Sequence, residues 1–301
     1  MERHQVAVYL GALAAGGVAG WVAPGAGPTL EHLINPVLAV LLYVTFLQVP
    51  VAELGRSLRP GRFLGAALVV NFAVVPLVVA AMFAFLPADQ AVRMGVLLVL
   101  LTPCVDYVIV FSGLAGADSR RLLAATPLLL LAQMVLLPGY LVLFLGDDLA
   151  VVEPGPFVEA FVVLIVIPLV LAWLTQAWAG RLIGRISTSM VPLMAATLFT
   201  VVASQVPKLG DDLVRVAGVV PFYVVFLVVM AFAGLAVTRL FRLDVPGARA
   251  VVFTGATRNS LVVLPLALAI DDVAAAVVVA QTLVEVVGMV VYVRVVPRLV
   301  P

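Results

Sequence analysis

Charge is scarce in this chain. Only 11% of its 301 residues are charged, where a soluble domain carries roughly 25%, and that shortage excludes an ordinary water-soluble fold. The net charge of +1 offers no basic surface to nucleic acid. Cysteine occurs once, as Cys104, which excludes an internal disulfide and a cysteine-only metal cage. Histidine occurs only as His4 and His32, both outside the apolar runs. No serine and histidine, and no paired catalytic carboxylates, therefore share one depth. No phosphate-binding glycine loop or metal-ligand spacing occurs either. The expectation is a protein that is not an enzyme and carries no cofactor.

What is abundant is apolar surface, 64% of residues by type. A bilayer crossing takes about 20 apolar residues, and ten runs qualify, at approximately 6–24, 34–52, 63–86, 92–116, 120–145, 157–179, 187–206, 216–240, 247–270 and 273–296. The first is preceded by little more than Arg3 and His4, and is followed by a Gly-Pro-rich stretch at 24–28 in place of a clean cleavage site. It reads as a span and not as a secretory signal. Loops are short. The longest, Gly146 to Pro156, carries Asp147, Asp148 and Glu153 and divides the chain almost in half. The fold class expected is an all-α polytopic membrane protein of ten transmembrane helices.

Basic residues orient it. With a cytoplasmic N-terminus, the inside segments hold Arg3, Arg56, Arg59, Arg62, Arg120, Arg121, Arg181, Arg185, Arg239, Arg242, Arg249, Arg294 and Arg298, against Arg93, Lys208 and Arg215 outside. So lopsided a distribution places both termini inside. The outside loops meanwhile collect Asp147, Asp148, Asp211, Asp212, Asp271 and Asp272.

Five spans per half is an odd number, so residues 1–148 and 149–301 must lie in opposite orientations, as two inverted five-helix repeats. The halves echo each other: Gln48-Val49-Pro50 closes the second span and Gln205-Val206-Pro207 the seventh, with Pro36 and Pro192 near their starts. The fourth and ninth spans are the interrupted ones, at Thr102-Pro103-Cys104 and at Gly255-Ala256-Thr257-Arg258-Asn259-Ser260. Interrupted spans at matching positions of inverted halves point to a transporter's substrate site. Pro103, Gly255 and Pro265 are the expected helix breaks, tolerated where the opened backbone is enclosed by protein or lines a cavity.

The candidate site residues gather there. Cysteine usually acts as a small buried hydrophobe, but Cys104 sits at a helix break beside Asp106, and a thiol suits a soft, thiophilic solute better than a hard cation. Thr102 and Asn259 flank the two breaks as further substrate contacts. Arg258, near the bilayer centre, needs a partner or a wet cavity, at a cost of about 2.5–3.5 kcal/mol. Asp106 and Glu285 are the carboxylates that lie well inside spans, and Gln281 is one helical turn from Glu285 on the same face. Such a carboxylate is a candidate proton carrier. Asn71, Gln133, Thr197, Thr200, Ser204 and Gln205 read as interhelical hydrogen-bonders, with Gln133 the one to watch. Trp21, Trp173, Trp178 and Tyr292 read as interfacial anchors, and Gly11, Gly16, Gly17 and Gly20 as sites of close helix packing.

On Pro103-Cys104, on Thr257-Arg258-Asn259-Ser260 with Leu264-Pro265-Leu266-Ala267-Leu268-Ala269, and on Leu283-Val284-Glu285, the chain resembles the arsenite permeases of the bile acid/arsenite/riboflavin transporter superfamily. The likeness runs over essentially the whole length. It implies the bile acid:sodium symporter-like fold, with crossing broken helices four and nine, a core of spans 3–5 and 8–10, and a panel of spans 1, 2, 6 and 7. It also implies arsenite efflux, with Cys104 as the metalloid contact and Glu285 as the ion-coupling residue, aided by Asp106. The partners implied are arsenite or antimonite, protons and the lipid of the cell membrane. One departure is Val105, where the family has a small polar residue. Relatives in the bile-acid branch couple to sodium near the crossing, and a fixed cation at Arg258 would oppose sodium there, so proton exchange is expected. In that scheme Arg258 holds a carboxylate ionised in one state and releases it in another. The alternatives are a symporter of a small organic anion paired with Arg258, and a non-transporting sensor, which would need an output domain.

Overall fold

The apolar runs form helices wherever the chain can be followed. The computed structural model describes residues 2–47, 61–104, 107–146, 159, 162–179, 190–209 and 212–301. Within these, α1 is Glu2–Val22 and α2 Gly27–Leu47, with a short 3-10 turn between them. Next come α3, Arg62–Phe83, α4, Gln90–Leu100, α5, Tyr107–Leu114, and α6, Ser119–Leu145. In the second half, α7 is Ile167–Ala179, α8 Met190–Gln205, α9 Leu213–Leu240, α10 Val245–Ala256, α11 Ser260–Leu268 and α12 Asp272–Leu299. No strand occurs among the described residues beyond one isolated bridge. Asp106, Val105, the Gln48-Val49-Pro50 echo, Arg56, Arg59, Arg181, Arg185 and the acidic loop with Asp147, Asp148 and Glu153 lie outside the described residues.

Six described helical stretches are long and apolar enough to cross a membrane: Pro24–Leu47, Arg62–Phe83, Leu128–Leu145, Met190–Lys208, Leu213–Leu240 and Asp272–Leu299. The expected spans 92–116 and 247–270 are each two shorter helices, α4 with α5 and α10 with α11. Large side chains such as Leu77, Phe85, Leu143 and Val214 face outward, as apolar solvent allows and water does not.

Helix starts follow local chemistry. Asp89, Asp118 and Asp271 cap α4, α6 and α12, each accepting a backbone N–H of the first turn. The ion pairs of the described residues sit at the two ends of the bundle. Lys208 meets Glu31 at 2.7 Å and Asp272 at 2.6 Å, and Arg215 reaches Asp212. At the opposite end Arg121 joins Asp118 and Asp244, and Arg249 donates to the carbonyls of Ala115 and Val300.

α1, α2, α7 and α8 pack on one another. Gly16 and Gly20 permit the α1–α8 contact, since an added Cβ would lie 2.8 Å from the carbonyls of Phe199 and Ala203; Gly11 and Gly17 face open space and do not serve it. α12 is flanked by α4, α9 and α11, and α10 by α9 and α3. The two groups meet where Leu42 and Phe46 of α2, Leu130 of α6 and Ala172 of α7 cluster around Val262 of α11. Tyr292 is not an interfacial anchor: its ring is buried edge-on to Phe253, and its hydroxyl donates to the carbonyl of Leu227. Its place on the inner face of α12 outweighs its nearness to the span end. Among the described residues Trp21 and Trp178 do face outward, as do Phe85 and Phe232.

Candidate functional site: the crossing of two broken helices

α4 ends at Leu100 and α10 at Ala256; Leu101 still turns in the helical region before the chain leaves α4, whereas Thr257 is already extended beyond α10. The segments beyond the two helix ends lie antiparallel, with Pro103 opposite Arg258. The N–H of Cys104 donates to Thr257 O at 3.2 Å and that of Asn259 to Thr102 O at 2.8 Å. Pro103 and Arg258 thus form the pair between two ladder bonds, whose own N–H and C=O groups point outward. Proline costs little at such a position, because the donor it lacks would have faced away from the ladder.

The broken ends leave orphan carbonyls, and nearly all are accounted for. In α4, Leu97 O accepts from Leu101 N, Val99 O from Thr102 N and Leu98 O from Thr102 Oγ1 at 2.7 Å. In α10, Phe253 O accepts from the N–H of Thr257 and from its Oγ1, at 2.9 Å. The rest fall to Arg258. Its Nη1 lies 3.2 Å from Leu100 O, and its Nη2 lies 2.8 Å from Thr254 O, from Gly255 O and from Asn71 Oδ1. The guanidinium also stands 5.6 Å over the ring of Phe226, and the residue is wholly buried. Carbonyls at helix C-termini carry partial negative charge, so this is a favourable seat for a cation.

Glu285 reaches the same crossing from α12. It is wholly buried. Its Oε2 accepts the backbone N–H of Arg258 at 2.8 Å and the side-chain amide of Gln281, and its Oε1 accepts the Tyr107 hydroxyl at 2.6 Å. The same hydroxyl lies 3.2 Å from Arg258 O. Glu285 therefore holds the N–H of Arg258 directly, while the one proton of the Tyr107 hydroxyl lies between Glu285 Oε1 and the more distant Arg258 O. The expected pairing of the Arg258 guanidinium with a carboxylate is not formed among the described residues: the side chain runs to the helix ends, and only its backbone meets Glu285.

The residues singled out in the sequence thus largely converge. Thr102, Cys104, Arg258, Asn259 and Glu285 share the crossing, whereas Asp106 lies outside the described residues. Cys104 is buried. Asn259 also caps α11, its Oδ1 accepting from Val262 N at 3.2 Å. Two of the expected breaks are displaced. Gly255 lies within the last turn of α10 and Pro265 inside α11; the break itself is Thr257 to Asn259. Gly255 matters for closeness, since a Cβ there would lie 2.7 Å from Val70 Cγ2. The lesser polar residues divide. Asn71, on a π-helical turn of α3 at Val70–Val74, does bond between helices, to Thr254 Oγ1 as well as Arg258. Thr197 and Ser204 instead turn back on carbonyls of their own helix, which short hydroxyl side chains reach readily. Gln133 Oε1, Gln281 Oε1, Asn259 Nδ2 and Arg258 Nε are buried with no hydrogen-bond partner among the described residues. Such atoms are uncommon and call for a ligand, water or motion.

Tyr107 is the member that sequence reasoning passed over, and Asn71, which it reads as an interhelical hydrogen-bonder, it does not place at the crossing. The only signals were a tyrosine next to an intramembrane carboxylate and a lone amide in an apolar span. No group of three or more histidines, cysteines and carboxylates that could hold a metal occurs among the described residues.

Compared with known proteins, the chain finds no match among curated sequences. Residues 35–214, more than half of its length and inclusive of the first break, match the sodium bile acid symporter family. That family moves small solutes across membranes, in keeping with the apolar spans and with a polar site enclosed among them. The chain belongs to the sodium bile acid symporter family and is a multi-pass membrane transporter.

Proposed function

We propose that this chain expels trivalent arsenic, as neutral arsenous acid, in exchange for an entering proton. The observation that carries the reading is the meeting of one thiol and one carboxylate on a single crossing: Cys104 is bonded through its backbone to Thr257, and Glu285 grips the next residue, Arg258. The thiol is the soft contact for the metalloid. One such contact binds weakly and reversibly, which turnover requires. Glu285 carries the proton, and Thr102 and Asn259 flank the solute. Unpartnered donors and acceptors at Asn259, Gln133 and Gln281 suit a small, neutral, hydroxylated solute, and antimonite would fit the same chemistry. One charge moved through 100 mV is worth about 2.3 kcal/mol, enough to drive useful export.

The architecture that goes with this reading is ten spans in two inverted repeats, 1–148 and 149–301, in the cell membrane with both termini cytoplasmic. A core of spans 3–5 and 8–10 would move against a panel of spans 1, 2, 6 and 7, exposing the crossing to each side in turn. The organic-anion alternative requires the Arg258 guanidinium for a substrate carboxylate, yet four oxygens already engage it. The test is arsenite accumulation in cells stripped of their own exporters, with and without this protein, across an imposed pH gradient and with sodium removed. Lower accumulation that follows the proton gradient and ignores sodium is the expected result. Unchanged accumulation would overturn the substrate, and export by Cys104→Ser at the parental rate would overturn the role of the thiol.

A further inference from the structure

The seat of the Arg258 guanidinium is an oxygen cage. Leu100 O closes α4, Thr254 O and Gly255 O close α10, and Asn71 Oδ1 comes in from α3. All four are uncharged, and all are directed at one positive group that water does not reach. Carbonyl and amide oxygens at helix C-termini are what a hard cation takes as ligands. Ion pairs among the described residues lie elsewhere, at the ends of the bundle; no described carboxylate stands in contact with the guanidinium, and the charge of Glu285 acts on it only from beyond contact distance. Arg258 also lies in the ladder itself, opposite Pro103. The cation is thereby tied by its own backbone to the segment that carries Asn259 and faces Cys104.

We propose that the Arg258 side chain is a tethered cation that fills a monovalent-cation site, and that this occupancy is what makes the transporter indifferent to sodium. Shortening the side chain opens the cage to a mobile ion. The inference rests on the exchange reading only in its claim that sodium does not drive transport, and its test uses no arsenite.

The purified full-length protein is unfolded thermally in detergent at fixed ionic strength, with sodium chloride exchanged for choline chloride. The parent protein's midpoint is expected to stay within about 1 °C across the exchange. Arg258→Ser is expected to melt lower and to gain about 5 °C at a sodium concentration a hundred times its dissociation constant. Low-millimolar guanidinium chloride, too dilute to denature, is expected to restore the same variant, because it replaces the deleted group in the cage. Arg258→Lys, which keeps a tethered charge, is expected to remain indifferent to sodium. A sodium-dependent rise in the parent that Arg258→Ser loses would overturn the proposal. So would a folded Arg258→Ser that treats sodium, guanidinium and choline alike. Should that variant not fold, equilibrium dialysis of the parent against radioactive sodium decides: retention above the choline control overturns the proposal, and no retention together with a folded, indifferent Arg258→Lys upholds it. Failure of arsenite export with this ion behaviour intact would remove the substrate reading and leave the tethered cation standing.

Discussion

The two breaks, Thr102-Pro103-Cys104 and Thr257-Arg258-Asn259, share one frame and differ in what fills it. In each, a threonine hydroxyl bonds the carbonyl four residues back, at Leu98 and at Phe253, and closes the helix end in the same way. In each, the third residue gives its N–H to the opposite strand. The middle residue separates them. Pro103 offers no donor at all, whereas Arg258 closes the carbonyls of its own helix and also that of Leu100 in the other. The third residues diverge too: Asn259 caps the helix that follows, and Cys104 presents a thiol. Matching backbones thus carry unequal side-chain work: Thr102 closes part of its own helix end, and Arg258 of the second break closes its own helix and Leu100 of the first as well. Neither break is complete alone.

The largest effect is expected at the residue on which both depend. Glu285→Ala leaves the donors of Arg258, Tyr107 and Gln281 without their acceptor, each at about 1–3 kcal/mol when buried. Transport should fall to background, with the steepest loss of stability of any variant named here, read by unfolding in detergent. Glu285→Gln keeps an oxygen for two of those donors, so it should lose transport while retaining most of the stability; parental export by this variant would remove Glu285 from the proton path.

Next come two glycines, one in each broken helix. A Cβ at Gly95 of α4 would lie 2.7 Å from the carbonyl oxygen of Ala274, a backbone atom of α12. One at Gly255 of α10 meets the methyls of Val70 and Met230, which can rotate. Overpacking against backbone should cost about 1–3 kcal/mol in Gly95→Ala, and Gly255→Ala should fall at or below the low end of that range. Equal losses would mean that both helices are gripped alike.

Smaller again is the cap. Asn259→Ala removes the acceptor at the start of α11 and should cost about 1 kcal/mol, with Asn259→Asp restoring most of it. Of the same order are Thr102→Val and Thr257→Val, at about 0.5–1.5 kcal/mol each. Because the frames match, the two should agree within a few tenths, and a clear inequality would refute the shared frame.

How much of this could be read from the sequence depends on the range of the interaction. The breaks were legible because a proline, a cysteine or an arginine inside an apolar run has few places to go. The Glu285–Gln281 contact was legible because residues four apart share a helix face. What Arg258 does was not. A sequence shows that a buried guanidinium needs partners, but nothing local says that they are carbonyls of two helix ends and an amide 187 residues away, or that its backbone and not its side chain meets Glu285. Pro265 illustrates the converse, since a proline can sit within a short helix without ending it. Tyr292 shows that nearness to a span end does not fix depth when the neighbouring helix offers a carbonyl.

The π-helical turn at Val70–Val74 carries Asn71, and it has an evolutionary consequence. Such a turn is an α-helix with one residue too many. Loss of one codon there would restore the α-helical register with the flanking parts of α3 kept nearly in place, and would re-aim the residues of the turn itself, Asn71 among them, while leaving Leu100, Thr254, Gly255 and Arg258 untouched. A lineage can therefore loosen or tighten the hold on this cation by a single insertion or deletion remote from both crossing segments, and descendants with identical breaks can still differ in how firmly they keep it.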